Sequence, residues 1–244
     1  MTPPLFLVPD LGDGASIVLT GAEAHHAATV KRLTVGEQAL LSDGCGGLAE
    51  VRVRTVSADR VEFEVLSRSS LPAPEPRLVV VQALPKGERA ELAVELLTEL
   101  GVDEIVPWSA ARSITLWKGE RAGKGVAKWR RTALEASKQS RRARIPVVTE
   151  LAGSEQVARR IGASGLALLL HEDATEPLAG LLDAPVAGEL VLVVGPEGGL
   201  SPAELELFTG AGARPVRLGP EVLRTSTAGA AGLAVLSVTV GRWR

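Results

Sequence analysis

Apolar and polar residues alternate with a period of two along Ala49–Val56 and again along Arg60–Leu66. A strand reads this way when one face meets a core and the other meets water. Together with shorter apolar runs, these segments predict strands over 16–20, 38–46, 48–57 and 60–69. The turns between them fall at Asp43-Gly44 and at the polar break Ser57-Ala58-Asp59. One helix, over 23–33, is expected among them, and the whole reads as a small barrel-like module. Three prolines in five residues (Pro72, Pro74, Pro76) then predict an extended linker over 71–77 and a domain boundary. Beyond it the pattern changes. Apolar runs at 78–84, 102–108, 166–172, 189–195 and 214–219 alternate with helical stretches, among them 87–101, stopped by Gly101, a basic one over 120–142 and a small-residue one over 225–241. Alternation of this kind predicts an α/β fold with a mostly parallel sheet. The chain therefore divides into 1–72 and 73–244.

The most informative turn lies in Val191–Leu205, "VLVVGPEGGLSPAEL". Val191–Val194 has the length and β-branched content of a buried strand. Ser201-Pro202-Ala203-Glu204 has the form of a capping box: Ser201 caps the amide three residues on, Glu204 reaches back, and Pro202 sits where its missing N–H costs nothing. Strand, glycine-rich turn and helix open a ligand crevice at the carboxyl end of an α/β sheet. The glycines fit neither the dinucleotide fingerprint nor the triphosphate-binding loop, so both of those ligands are disfavoured. A second loop, 218–229, also lies between a strand and a helix, and two such loops can wall one crevice from both sides.

Composition narrows the class. A hydrophobic content of 45% with 23% charged residues suits a globular protein with a real core. No apolar run reaches the roughly 18 residues of a membrane span, and the first residues lack the basic and apolar regions of a signal peptide. The single cysteine, Cys45, suits a reducing cytoplasm. Three histidines and no paired cysteines make a metal site improbable, and the adjacent His25 and His26 point different ways on any regular element. Net charge is −2, yet Arg112–Arg144 holds eleven basic and two acidic residues. That segment carries +9 and leaves −11 for the rest, with few acidic partners one helical turn away. Segregated positive charge on an acidic chain is the electrostatic footprint of nucleic-acid contact.

Four strings in order carry a resemblance: "QALPKGERAELAVELLTELGVDEIVP", "EASKQSRRARIP", "VVGPEGGLSPAEL" and "LGPEVLRTSTA". Together they resemble the RsmE family of the SPOUT superfamily, methyltransferases that act on N3 of a uridine in small-subunit (16S) ribosomal RNA. "HHAATVKRLTVGEQALLSDGCG" is similar to the N-terminal module of the same family. The resemblance implies a PUA-like β-barrel RNA-binding domain over 1–72. For 73–244 it implies a SPOUT-type, mostly parallel sheet with a C-terminal trefoil knot whose loops bind S-adenosyl-L-methionine. It further implies a cytoplasmic homodimer without metal, acting on 16S ribosomal RNA within the small ribosomal subunit. A related methyltransferase acting on another RNA, and a catalytically silent RNA-binding assembly factor, are the alternatives.

By the resemblance, Leu170 and the turn residues Gly195, Pro196, Gly198 and Gly199 hold the cofactor from one side. Leu218, Gly219, Leu223, Thr225, Ser226 and Ala228 hold it from the other. Glycines let backbone groups approach a ligand closely, and leucines enclose an adenine ring. Arg224 is the first candidate for catalysis. Its guanidinium cannot serve as a base but can stabilise charge developing on uracil oxygens. Glu197, the carboxylate within the glycine turn, either accepts the N3 proton or caps amides of the following helix. Arg32, Lys86, Arg89, Arg112, Gln139, Arg142 and Arg144 are carried over as RNA contacts, with charge positioning phosphates and the pocket selecting the base. The chain departs from the family pattern at Ser226, where many relatives have glutamate. A serine hydroxyl is a good helix cap but a poor proton acceptor. The small residues of 227–240 suit either close packing within the chain or a dimer contact.

Overall fold

A computed structural model describes residues 3–181 and 185–243. The chain forms two compact units, Met1–Ala73 with Ser137–Ile145, and Pro74–Ala136 with Pro146–Arg244. The first contains β1 (Leu5–Leu7), β2 (Ser16–Thr20), α1 (Gly21–His25), β3 (Gln38–Ser42), β4 (Gly47–Val56) and β5 (Arg60–Ser70). The strands make one sheet in the order β1-β3-β4-β5-β2, antiparallel except for the β1–β3 pair. The period-two pattern places Val51, Val53, Val61 and Phe63 in the core. Register shifts at Glu50/Val51 and Val53/Thr55 bend the long β4–β5 hairpin around that core.

Where one helix over 23–33 is expected, α1 gives way to a π-helical turn over His26–Val30. Lys31 N–H reaches back to His26 O at 2.9 Å. The wider turn tucks Ala27 and Leu33 into the core and leaves Lys31 and Arg32 outside, with Arg32 in the left-handed region at φ 55°. The second difference is larger. Residues 137–145 do not stay with the sheet domain that precedes them in sequence. They strap onto the β3–β4 turn, with Gly46 N–H on Ala143 O (2.9 Å), Ile145 N–H on Gly44 O (3.0 Å) and Ser42 Oγ–H on Ala143 O (3.1 Å). Lys138 pairs with Glu23 at 2.6 Å. The physical reason is that backbone groups in a buried turn must find partners, and the strap supplies them.

The second unit holds β6 (Arg77–Ala83), α2 (Arg89–Glu99), β7 (Glu104–Trp108), α3 (Glu120–Gln139, whose last turn belongs to the strap), β8 (Val147–Val148), α4 (Ser154–Ala163), β9 (Leu166–Leu170), β10 (Glu189–Val194), α5 (Pro202–Gly210), β11 (Arg214–Val216) and α6 (Thr225–Thr239). All six strands are parallel, in the order β11-β9-β10-β6-β7-β8. Runs such as Leu78–Val81 and Leu190–Val194 are buried throughout because each face of the sheet is covered. Leu97, Trp129 and Leu233 pack on one face, and Ile161, Trp108 and Phe208 on the other. Gly229 and Gly232 let α6 lie directly on the sheet. A β-carbon at Gly232 would come within 2.8 Å of Leu192 Cδ2, and one at Gly229 within 2.9 Å of Gln82 Oε1. Packing within the chain therefore accounts for these two small residues.

At the amino ends of the strands, Arg77, Glu104, Arg160 and Glu189 form an ion-pair cluster, with Arg160 Nη2 at 2.9 Å from Glu189. The strand order reverses between β6 and β10, and the loops after β9, β10 and β11 meet at the opposite, carboxyl edge. Open α/β sheets bind their ligands at such a switch point.

Candidate active site

The loops following β9, β10 and β11 enclose a cleft of about 650 Å³. Its apolar wall comes from Leu170, Val194, Leu218, Leu223 and Ala228. The turn residues Gly195, Pro196, Gly198 and Gly199 also line it, as do Gly219, Arg224 and Thr225. The cofactor residues expected from sequence thus converge, with one exception. Ser226 is 3% exposed and does not line the cleft. Thr225 and Ala228 stand three residues apart on one face of the first turn of α6, and the helical period turns Ser226 away from it.

The glycine turn has the shape its sequence requires. Gly199 adopts φ +69°, open to glycine at little cost, and its N–H closes the turn on Pro196 O at 2.9 Å. At Gly198 a β-carbon would stand 3.1 Å from both Cβ and O of Arg112. Arg112, expected to contact RNA, is exposed, lines the cleft and braces this turn: its Nη1 donates to Leu200 O (3.1 Å) and Gly198 O (3.4 Å). Long-range anchoring of this kind leaves no local signal in the sequence.

Two carboxylates, Glu197 and Glu204, stand near the turn, and the helix cap belongs to Glu204. The capping box is present as expected, with Ser201 Oγ accepting from Glu204 N–H (3.2 Å) and Glu204 Oε2 accepting from Ser201 N–H (3.0 Å). Glu197 therefore does not cap α5. Its Oε1 accepts the N–H of Lys86, in the loop after β6, at 3.1 Å, while Oε2 has no hydrogen-bond partner among the described residues. Glu204 is 4% exposed. Burial pushes its pKa up, but hydrogen bonds from Ala111 N–H, from the hydroxyl and N–H of Ser201, and from Ser154 Oγ–H outweigh burial. The net effect holds the carboxyl below its ordinary value of 4.5.

A group depressed in the folded state stabilises fully above its unfolded pKa, and that stability is lost as pH falls through the folded value. Urea midpoints measured from about pH 6 down to about pH 3 should therefore drop more steeply below 4.5 for the wild type than for Glu204→Gln. Parallel acid limbs would show that Glu204 contributes nothing to this window.

Arg224 occupies the N-cap position of α6, in extended conformation, where the helix dipole adds positive potential. The next residue is tethered from the centre of the sheet by Gln82 Nε2, which donates to Thr225 O at 3.3 Å. The loop after β9 supplies His171, Glu172 and Asp173 to the cleft, and Glu221 adds a further carboxylate. From that loop the resemblance implies Leu170 alone. The dipeptide His171-Glu172 at the carboxyl end of an apolar run was the available signal.

The RNA candidates fall into two sets. Arg32, Gln139, Arg142 and Arg144 belong to the first unit, and Lys86, Arg89 and Arg112 to the second. Arg32, Lys86, Arg89 and Gln139 are exposed. Arg144 is a fastener: Nη2 donates to Leu71 O at 2.6 Å and its backbone bridges Cys45. The basic helix also has acidic partners after all, supplied by other elements. Lys128 pairs with Glu91 (2.8 Å) and Arg130 with Glu150 (2.7 Å). Lys118, Arg121, Lys124 and Arg131 are exposed without a salt-bridge partner among the described residues.

Comparison with known proteins gives a consistent result. The family described as "RNA methyltransferase domain" matches residues 73–237, and "RNA methyltransferase PUA domain" matches 19–66. The ribosomal RNA small subunit methyltransferase E of Mycobacterium bovis is 47% identical over 248 residues, covering 100% of this chain and 94% of that protein. The crystal structure of a ribosomal RNA small subunit methyltransferase E from Neisseria gonorrhoeae, bound to S-adenosyl methionine, is similar with a TM-score of 0.86 and 28% identity over 98% of both chains. A putative methyltransferase from Legionella pneumophila, in complex with the same cofactor, gives 0.82 at 28% identity, again over 98% of both chains.

Proposed function

This chain belongs to the ribosomal RNA small subunit methyltransferase E family, and on that footing we propose that it transfers a methyl group from S-adenosylmethionine to N3 of a uridine in 16S ribosomal RNA. The observation that carries the reading is the convergence of the glycine turn, the apolar wall and Arg224 on one cleft at the carboxyl edge of the sheet. The lining fits the cofactor. Leu170, Leu218 and Leu223 offer an apolar wall to an adenine, and a β-carbon at Gly198 would crowd the very turn that has to approach the ligand. Glu172, Asp173 and Glu221 offset the positive charge of a sulfonium. When bound, the cofactor supplies an electrophilic methyl carbon, and the organic chemistry is its own.

The chain's part is to bind the uridine, orient N3 and manage one proton. Glu197 accepts the N3 proton at Oε2, since Oε1 is held by Lys86 N–H. Loss of that proton spreads negative charge onto the uracil oxygens, and the Arg224 guanidinium at the positive end of α6 stabilises it. Ser226 stands outside the cleft, so its hydroxyl takes no part in the proposed chemistry. Lys86 and Arg89 in one unit, and Arg32, Gln139 and Arg142 in the other, contact the RNA backbone; exposed Lys118, Arg121 and Lys124 extend the positive field.

The reading includes a homodimer, supported by Val238 and Trp243, apolar side chains 60% and 43% exposed on and beyond the end of α6. It includes the trefoil knot, supported by the chain leaving β11 running beside the β9–β10 connection, with Arg217 N–H on Glu176 O and Leu178 N–H on Arg217 O, both 2.9 Å. It places the enzyme in the cytoplasm; among the described residues no helix is long and apolar enough to cross a membrane.

The test is methyl transfer from labelled S-adenosylmethionine to small ribosomal subunits lacking the modification, to naked 16S ribosomal RNA and to transfer RNA. Digestion and mass analysis should find N3-methyluridine from a small-subunit substrate. Label in transfer RNA or on a ribose would overturn the substrate, and absence of label on any RNA would overturn the activity.

A further inference from the structure

The loop that brings Arg112 to the glycine turn is tied down one residue earlier. Ala111 N–H donates to Glu204 Oε1 at 2.8 Å. Glu204 Oε2 accepts from Ser201 N–H (3.0 Å) and Ser201 Oγ–H (2.7 Å), immediately after Leu200, whose carbonyl takes the Arg112 guanidinium at 3.1 Å. The contacts close a ring: Glu204, Ala111, Arg112, Leu200, Ser201 and back to Glu204. Four donors converge on the one carboxylate, the fourth being Ser154 Oγ–H at 3.0 Å. Only an ionised carboxylate, an acceptor at both oxygens, can satisfy all four; a glutamine would turn an N–H₂ toward a donor. Glu204 is buried and does not itself line the cleft.

We infer that Glu204 is a positioning residue for the cofactor turn, fixing the spacing between the Arg112 loop and residues 198–201 and, through them, one wall of the cleft. The inference rests on the function proposed above. A helix cap alone would need Ser201 and one oxygen of Glu204. The second oxygen is committed instead to a loop 93 residues away in sequence, and that loop carries Arg112, whose Cβ and guanidinium meet the turn. The carboxylate thus joins two walls that no strand pairing holds together.

Glutamine keeps an acceptor for Ala111 and loses the one for Ser201; alanine loses both. Amide exchange of the cofactor-free protein should then show protection lost at Ser201 alone in Glu204→Gln and at both amides in Glu204→Ala. By calorimetry, the Kd for S-adenosylmethionine should rise about tenfold in Glu204→Gln and further in Glu204→Ala. Arg160→Ala, which lowers stability at the opposite edge of the sheet, serves as the control and should lower Tm with Kd unchanged. Should Glu204→Ala fail to fold, Glu204→Gln carries the test alone. Wild-type affinity in Glu204→Gln despite lost protection at Ser201 would overturn the inference, as would an equal rise in Kd for Arg160→Ala. A wild-type protein with no affinity for S-adenosylmethionine would instead overturn the proposed function, and the inference with it.

Discussion

Arg224→Ala is expected to lower kcat for methyl transfer by about 10²–10³, the loss typical of removing one group that stabilises developing charge, while the Kd for S-adenosylmethionine changes little. Arg224 lines the cleft from the N-cap position of α6, and its side chain makes no hydrogen bond or ion pair among the described residues. It is therefore not tied into the scaffold. The backbone at that point is held independently, by Gln82 on Thr225 O, so the substitution leaves the loop in place and removes only charge and donors. Arg224→Lys should recover part of the loss, because an ammonium keeps the charge but not the planar fork that meets two oxygens at once. Single-turnover transfer to small subunits, with calorimetry alongside, separates the two effects. Unchanged turnover would reduce Arg224 to a residue of the α6 entry.

Gly46→Ala is expected to destabilise the first unit by about 3 kcal/mol or more, the range of a severe backbone and overlap defect. Gly46 has φ +107°, a conformation that side chains rarely adopt, and a β-carbon there would lie 2.7 Å from Leu71 O and overlap the Arg144 guanidinium. The overlap falls on the joint where three stretches meet, since Gly46 also donates to Ala143 O and accepts from Leu71 N–H. Relief by moving one neighbour would break the hydrogen bonds of the others. The cofactor cleft lies wholly in the second unit. The expected signature is thus a first unfolding transition moved to lower urea, weakened RNA binding, and an unaltered Kd for S-adenosylmethionine. A single unshifted transition would show that the strap tolerates a side chain.

How far the chain could be read without coordinates depended on the range of the forces involved. Alternation in Val51–Val53 and Val61–Phe63, the capping box at Ser201 and the buried run before Gly195 are local patterns, and each became the element it predicted. The residues expected to hold the cofactor reach one cleft because two short loops carry nearly all of them. Contacts closed across long stretches of chain left no such trace. Ser42 meets Ala143 across 101 residues and Arg112 meets Leu200 across 88, so neither the place of the strap in the first unit nor the Arg112 brace shows in any local pattern. Ser226 failed for a subtler reason. The string around it marks the site, but helical geometry turns one residue of that string inward. The π-helical turn at His26–Val30 and the short β1 and β8 lacked a period long enough to detect.

The strap also has a consequence for the order in which the polypeptide is made. The β3–β4 turn leaves the ribosome long before its partners at Ala143 and Ile145 have been synthesised. At the usual pace of translation the stretch between Ser70, where β5 ends, and Ile145 takes roughly 4–15 s to appear. Throughout that interval the first unit has its sheet but not its fastening, and Gly44, Gly46 and Ser42 must make do with water. The N-terminal unit, first to emerge, is thus not the first to be completed. Its last contacts form only after β6, β7 and most of α3 are already outside the exit tunnel, so a pause in synthesis between residues 73 and 137 would leave the nascent chain holding an unlatched RNA-binding module.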